Sequence, residues 1–164
     1  MRRYLPPIAL LIVAALFLAW WFSPVNVLKR RVGNLFDTAA VPPTMSDIAR
    51  SSRGPNVAEY LANRIEVDAP DDFDERLGSS YTRDNAAAYY SGAARYCRQV
   101  TFLEPAFENV EITGEDAKVR LRIDTIVELP DRRPVDGILI FDMDWTKAET
   151  GWLLKRAAWE ETGR

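Results

Sequence analysis

Between residues 117 and 160, apolar and charged side chains alternate with few interruptions. Across 119–129 the odd positions are Val119, Leu121, Ile123, Thr125, Val127 and Leu129, and the even ones are Arg120, Arg122, Asp124, Ile126 and Glu128. A period of two sends alternate side chains to opposite faces of a strand. The pattern returns over 135–146, where Leu139, Phe141, Met143 and Trp145 oppose Asp136, Ile138, Ile140, Asp142 and Asp144, and a third strand opens at Trp152. Pro130 and Pro134 cannot donate to a ladder and Asp131 favours a turn, so 129–134 is the first connection and 147–151 the second. A first loop centred on Arg132 sets Ile126 against Ile138, Arg122 against Asp142 and Arg120 against Asp144, with Leu121 against Met143 and Ile123 against Phe141 on the other side. A second turn centred on Glu149 places Arg156 beside Asp142, so that one carboxylate sits between two guanidinium groups. A one-residue slip would turn every Ile and Phe to the wrong face.

Helical spacing precedes these strands. Ser23-Pro24 reads as a cap and first helical residue, followed by Val25, Leu28, Val32, Leu35, Phe36 and Ala39 at steps of three and four. Pro42-Pro43 closes that amphipathic helix. Thr44 with Asp47, and Asn56 with Glu59, predict two short helices near 46–51 and 57–63, separated by Arg53-Gly54-Pro55. Ile65, Val67 and Ala69 alternate with Glu66 and Asp68 as a short strand stopped by Pro70. Thr82 caps a helix that runs to about Cys97, with an inner stripe of Ala86, Tyr89, Tyr90, Ala93 and Cys97. Thr101, Leu103, Phe107, Val110 and Ile112 form a strand bent at Glu104-Pro105, and Gly114-Glu115 turns it into the strand at Ala117.

The amino terminus differs from all of this. Arg2 and Arg3 precede a run without charge over 4–28, and 5–25 is adequate for a bilayer span of about 20 residues, with Trp20 and Trp21 at headgroup level. A cleaved signal peptide is disfavoured, because Phe17 or Trp21 stands where the peptidase needs a small residue. A core helix apolar all round would need protein on every side. The division is therefore 1–24, a transmembrane signal anchor, and 25–164, one α+β domain. A short basic leader before an uncleaved span suits a single-pass protein of a bacterial inner membrane with its domain in the periplasm. Lys29, Arg30 and Arg31 nearly balance the leader, and this collar equally suits anionic lipid on the cytoplasmic side.

Composition narrows the chemistry. The 164 residues are 48% apolar and 27% charged, with one cysteine, Cys97, and no histidine. An intrachain disulfide is excluded, and the commonest general base and metal ligand is missing. A net charge of -3 is not that of a nucleic-acid binder. Asp71, Asp72, Asp74 and Glu75 form an acidic knot that fails as a calcium loop, with no Gly at its sixth position and Arg83 at its twelfth. No metal or cofactor is expected.

The order of elements resembles the nuclear transport factor 2-like superfamily, on the pattern Val110-x-Ile112-x-Gly114-x-x-Ala117-x-Val119 and the later Gly151-Trp152-x-Leu154. The resemblance covers nearly all of the chain after the anchor. It implies a strongly curved antiparallel sheet wrapped around three to four helices as a cone. The superfamily holds ketosteroid isomerases, dehydratases, polyketide cyclases, epoxide hydrolases and many non-enzymes, and some membrane-tethered members are assembly subunits of secretion systems. Its enzymes place Asp, Tyr, His or Arg on the concave face, where an apolar wall shifts a carboxylate toward use as a base.

In this chain the concave face takes the apolar set, with Thr125 and Lys155 as its polar members, and Asp142 and Asp144 fall outside as a salt-bridge ladder. No catalytic residue is assigned. The resemblance makes Tyr89, Thr125, Phe141, Lys155 and Trp159 the ligand-pocket candidates, Lys155 being either a stem packed along the sheet or a contact for an anionic ligand. Ile126, Ile138, Ile140, Trp152 and Leu154 form an apolar strip on the convex face for a protein partner or homodimer. The expected function is a membrane-anchored, noncatalytic binding or scaffold domain. The alternatives are a carrier of a small apolar ligand or lipid in the cone, and an isomerase- or dehydratase-like enzyme.

Overall fold

The computed structural model describes residues 5–68, 80–130 and 134–162, so the acidic knot at 71–75 lies outside the described residues. Helix α1 (Leu5–Trp21) meets α2 (Pro24–Ala39) at a bend of 56°. Ser23 Oγ accepts the Asn26 N–H at 3.3 Å and Pro24 takes the first helical position, so α2 begins as a new helix. Arg30 clasps the joint, donating to the Trp21 carbonyl at 2.8 Å and lying 4.3 Å over the Trp21 ring. From Leu11 to Phe22 every side chain is exposed. Among the described residues no single helix is long and apolar enough to cross a membrane, and α1 with α2 passes by length and composition as a bent pair.

After α2 come α3 (Asp47–Ser51), α4 (Arg53–Ala58), β1 (Leu61–Asp68), β2 (Ser80–Thr82), α5 (Arg83–Tyr96), β3 (Gln99–Phe102), β4 (Ala106–Thr113), β5 (Asp116–Glu128), β6 (Val135–Ala148) and β7 (Gly151–Thr162). The sheet runs β2-β1-β7-β6-β5-β3, with β4 also on β5. Strands β3 and β4 are two lengths of one edge, broken at Leu103-Glu104-Pro105 as the sequence predicts. The sheet is mixed, and not antiparallel throughout: β1 runs parallel to β7, with Val67 beside Ala157. That pairing joins distant segments, and β2 is too short to show a period, so neither is visible in the local pattern.

The β5–β6 ladder has the predicted faces in a different register. Arg120 opposes Asp142, Leu121 opposes Phe141, Ile123 opposes Leu139 and Ile126 opposes Asp136, two positions from the expected pairing. Alternation distinguishes odd from even shifts only, so an even slip leaves every side chain on its own side. Between β6 and β7 the departure is larger. Ala148 opposes Gly151 across a tight turn, with Gly151 at φ 115, a value that favours glycine. Trp145 then opposes Leu154 but Asp144 opposes Arg156, which makes Lys155 the extra residue of a β-bulge. Parity reverses there. Trp152 and Leu154, predicted on the convex face, join Trp145 in the core, while Leu153 and Lys155 turn out.

The core is filled from α2 by Leu28, Val32, Leu35 and Phe36, and from the sheet by Val119, Leu121, Ile123, Met143, Trp145, Trp152 and Leu154. Helix α5 is covered twice, by the sheet and by α4. The Gly54 N–H donates to Ser91 Oγ at 3.1 Å, and a Cβ on Gly54 would stand 2.2 Å from the Ala87 carbonyl oxygen. Contact this close turns α5 so that Ala87 and Ala94 are its buried residues, whereas Ala93 of the predicted stripe is exposed. Residues 53–55, predicted as a separator, belong to α4, whose first turn tolerates Pro55 because N–H groups there lack helical acceptors. Residues 61–63, predicted helical, open β1. Arg50 is buried and donates to the carbonyls of Met45 at 3.0 Å and Cys97 at 2.6 Å, tying α3 to the end of α5.

Candidate functional site: the wide end of the cone

The two ends of the inner face are filled differently. Toward the β6–β7 turn, Trp145, Leu28 and Val32 have no appreciable exposure, and Trp152 and Leu154 close the packing around them. Toward the other end, Val127, Leu139, Phe141 and Trp159 are half-buried. Phe36 reaches this end from α2, 5.2 Å from the Phe102 ring and 5.3 Å edge-on to Phe141, and Phe141 lies 6.2 Å from Trp159. These contacts make an aromatic wall from α2 across β6 to β7.

Polar groups border that wall. Thr125 is 6% exposed, and its Oγ1 has no hydrogen-bond partner among the described residues. The Tyr81 hydroxyl is buried in the same condition. Opposite Thr125 on β6 is Gly137, which puts no side chain into the inner space. Glu161 opposes Leu139 and so shares the inner face, at its exposed rim. Its Oε1 lies 3.1 Å from where a Gly137 Cβ would stand. Sequence reasoning missed Glu161, although the odd parity of Ala157 and Trp159 extends to it.

Of the five predicted pocket residues, Thr125, Phe141 and Trp159 come together on this inner face. Tyr89 does not: it is 60% exposed and meets Tyr81 edge-on at 5.2 Å from outside, because α5 is turned toward α4. Tyr90 takes the inward place. Its hydroxyl donates to the Ala39 carbonyl at 2.6 Å, and burial pushes its pKa up to about 12, against the lowering effect of Arg53 and with a smaller raising effect from Cys97. Burial also raises the Cys97 thiol, opposed by Arg50. Lys155 is displaced by the bulge to the convex face, where Nζ lies 2.7 Å from Asp116 Oδ1 and holds that carboxyl below its ordinary range by hydrogen bond and charge.

Asp142 and Asp144 lie on the convex face as predicted, but with the charges shared the other way round. Arg120 lies 2.7 Å from Asp142, 3.3 Å from Glu108 and 3.3 Å from Glu160, so that carboxylates surround a guanidinium. Arg156 lies 2.6 Å from Asp68 and 3.8 Å from Asp144, away from its predicted neighbour Asp142. Both guanidiniums are raised further, Arg120 by the charge of Asp142 first and Arg156 by the hydrogen bond to Asp68 first. Exposed pairs of this kind contribute little to stability. Of the predicted interface residues, Ile126, Ile138 and Ile140 sit half-buried on this face. Among the described residues no group of three His, Cys, Asp or Glu could hold a metal ion.

No family model and no curated protein matches the chain by sequence. Solved structures do match in shape. A nuclear transport factor 2-like superfamily protein from Salmonella enterica is 12% identical at a TM-score of 0.60, covering 86% of this chain and 92% of its own. A nuclear transport factor 2-like protein with a cystatin-like fold from Novosphingobium aromaticivorans is 12% identical at 0.59, covering 90% and 86%. A third, from the same organism and provisionally named a scytalone dehydratase, is 17% identical at 0.61, covering 84% and 83%. The fold is the nuclear transport factor 2-like cone. At these identities the likeness is one of fold, and the chemistry of the wide end has to be read from its own residues.

Proposed function

We propose that the chain is a noncatalytic binding domain that takes a small apolar ligand, such as a lipid, into the wide end of the cone. We propose too that residues 5–25 tie it to a bilayer with the domain outside the cytoplasm. The supporting observation is the contrast between the two ends: one packed solid around Trp145, the other walled by half-buried Phe141 and Trp159 and bordered by the unpartnered hydroxyl of Thr125. Apolar walls with a few placed polar groups are the usual make-up of a small-molecule site. The dehydratase name of one structural neighbour suggests an enzyme as the alternative. That reading is weaker here, because Lys155 and Tyr89 lie outside and Asp142 and Asp144 face away. The bilayer reading draws on the exposed apolar side chains of α1 and on Trp20 and Trp21 at its end.

Native mass spectrometry of the full chain released from a nonionic detergent tests the ligand. The expected result is a bound apolar mass at one per chain, lost in Trp159→Arg. A bare chain that also takes up no added fatty-acyl or aromatic probe overturns the reading. A second reading keeps Ile126, Ile138 and Ile140 as a contact for a protein partner, favoured by their place on the outer face. Association that survives Ile138→Asp with Ile140→Asp removes it.

A further inference from the structure

We propose that the wide end is built for an organic amine, whose ammonium is received by Glu161 and Thr125 over Gly137 and whose apolar body lies along Phe141 and Trp159. This inference rests on the reading of the wide end as a ligand site and adds the chemistry of the ligand. Glu161 is the acidic side chain on the inner positions of β5, β6 and β7 at this end, among the described residues. With the described residues its side chain makes no hydrogen bond or ion pair. Trp159 stands two positions before it on the same face, with Phe141 opposite Trp159. A cation over aromatic faces is favoured by the ring quadrupole, and a neighbouring carboxylate adds direct attraction.

The cation that sequence parity would place on the inner face is absent from it, since the bulge sends Lys155 outward to Asp116. Among the described residues, that leaves the Glu161 carboxylate without a counter-ion. Thr125 and Glu161 are separated by one strand, about 10 Å between backbones at the usual strand spacing. Gly137 puts no side chain between them, and the Glu161 carboxylate leans over it, with Oε1 3.1 Å from where a Cβ would stand. An ammonium carries three donors and no acceptor. Set between the Glu161 carboxylate and Thr125, it can give one hydrogen bond to each, including the Thr125 Oγ1 that is buried without a partner among the described residues. A carboxylate ligand would meet Glu161 with like charge, and an alcohol would gain no charge attraction. The acidic balance of the whole chain, -3, favours approach of a cation.

Isothermal titration of the full chain in a nonionic detergent at pH 7 and low salt tests this with three probes that share a phenyl body: 2-phenylethylamine, 2-phenylethanol and 3-phenylpropionate. The amine is expected to bind about tenfold more tightly than the alcohol, with the acid weakest. Glu161→Gln, on the exposed rim, should abolish the advantage of the amine over the alcohol. Gly137→Ala should weaken the amine by pushing the Glu161 side chain aside, and Thr125→Val should weaken it severalfold. Equal binding of all three probes overturns the amine assignment while leaving the ligand site standing. Amine preference that survives Glu161→Gln overturns it as well. Failure of every probe to bind overturns both the assignment and the reading on which it rests.

Discussion

At the scale of single residues, the burial of Tyr90 has a measurable consequence. Its phenol is held neutral by desolvation and by the bond to the Ala39 carbonyl, with its pKa pushed up to about 12. A group whose pKa is raised on folding contributes stability that is whole below its unfolded value, near 10, and is lost as pH climbs through the folded one. Urea midpoints are therefore expected to fall between pH 10 and pH 12, and the fall should be reduced in Tyr90→Phe. A Tyr90→Phe variant with the same alkaline profile would count against the burial. Arg50 and Gly54 make the same point about legibility. Neither shows its role in the linear pattern, because one is defined by the carbonyls that converge on its guanidinium and the other by the helix that crosses it.

At the scale of elements, β7 decides which side chains face the inside of the cone. The bulge at Lys155 lets Trp152 and Leu154 face in before it and Ala157 and Trp159 after it. Deleting Lys155 would leave a regular strand with these four still inward. The domain is expected to fold with little loss of stability, since only a local bend and an exposed ion pair are removed. Deleting Ala158 instead turns Trp159 to solvent and is expected to cost about 3 kcal/mol or more. Equal losses in chemical denaturation would show that the bulge is not what sets the faces. The predicted strands, their faces through β5 and β6 and the caps at Ser23 and Thr82 were legible because each rests on neighbours within a few residues. The bulge was not, since one extra residue is visible only against the strand opposite.

At the scale of the whole molecule, α1 stands apart from the core, whose buried residues begin at Leu28. A chain starting at Ser23 keeps the cap of α2 and every core residue, and is expected to fold without detergent. The full chain should instead float with phospholipid vesicles in a density gradient. Full-length protein left in the aqueous fraction would remove the bilayer from the proposal, and a truncated chain that fails to fold would show that α1 belongs to the core. Which pairs of distant segments meet is also settled at this scale: β1 beside β7, α4 against α5, and Phe36 of α2 against Phe141 of β6.

The alternation of side chains, read alone, determined a two-faced sheet, an amphipathic helix to cover it and an apolar amino-terminal segment unlike the rest, because each is a property of short stretches of chain. Only the tertiary structure decided the register, the bulge that exchanges Lys155 for Leu154, and the placing of Thr125, Gly137 and Glu161 on one face of adjacent strands. The reason is physical. Period-two order carries parity alone, whereas a site is a set of distances between strands, and those are set by the packing of the whole.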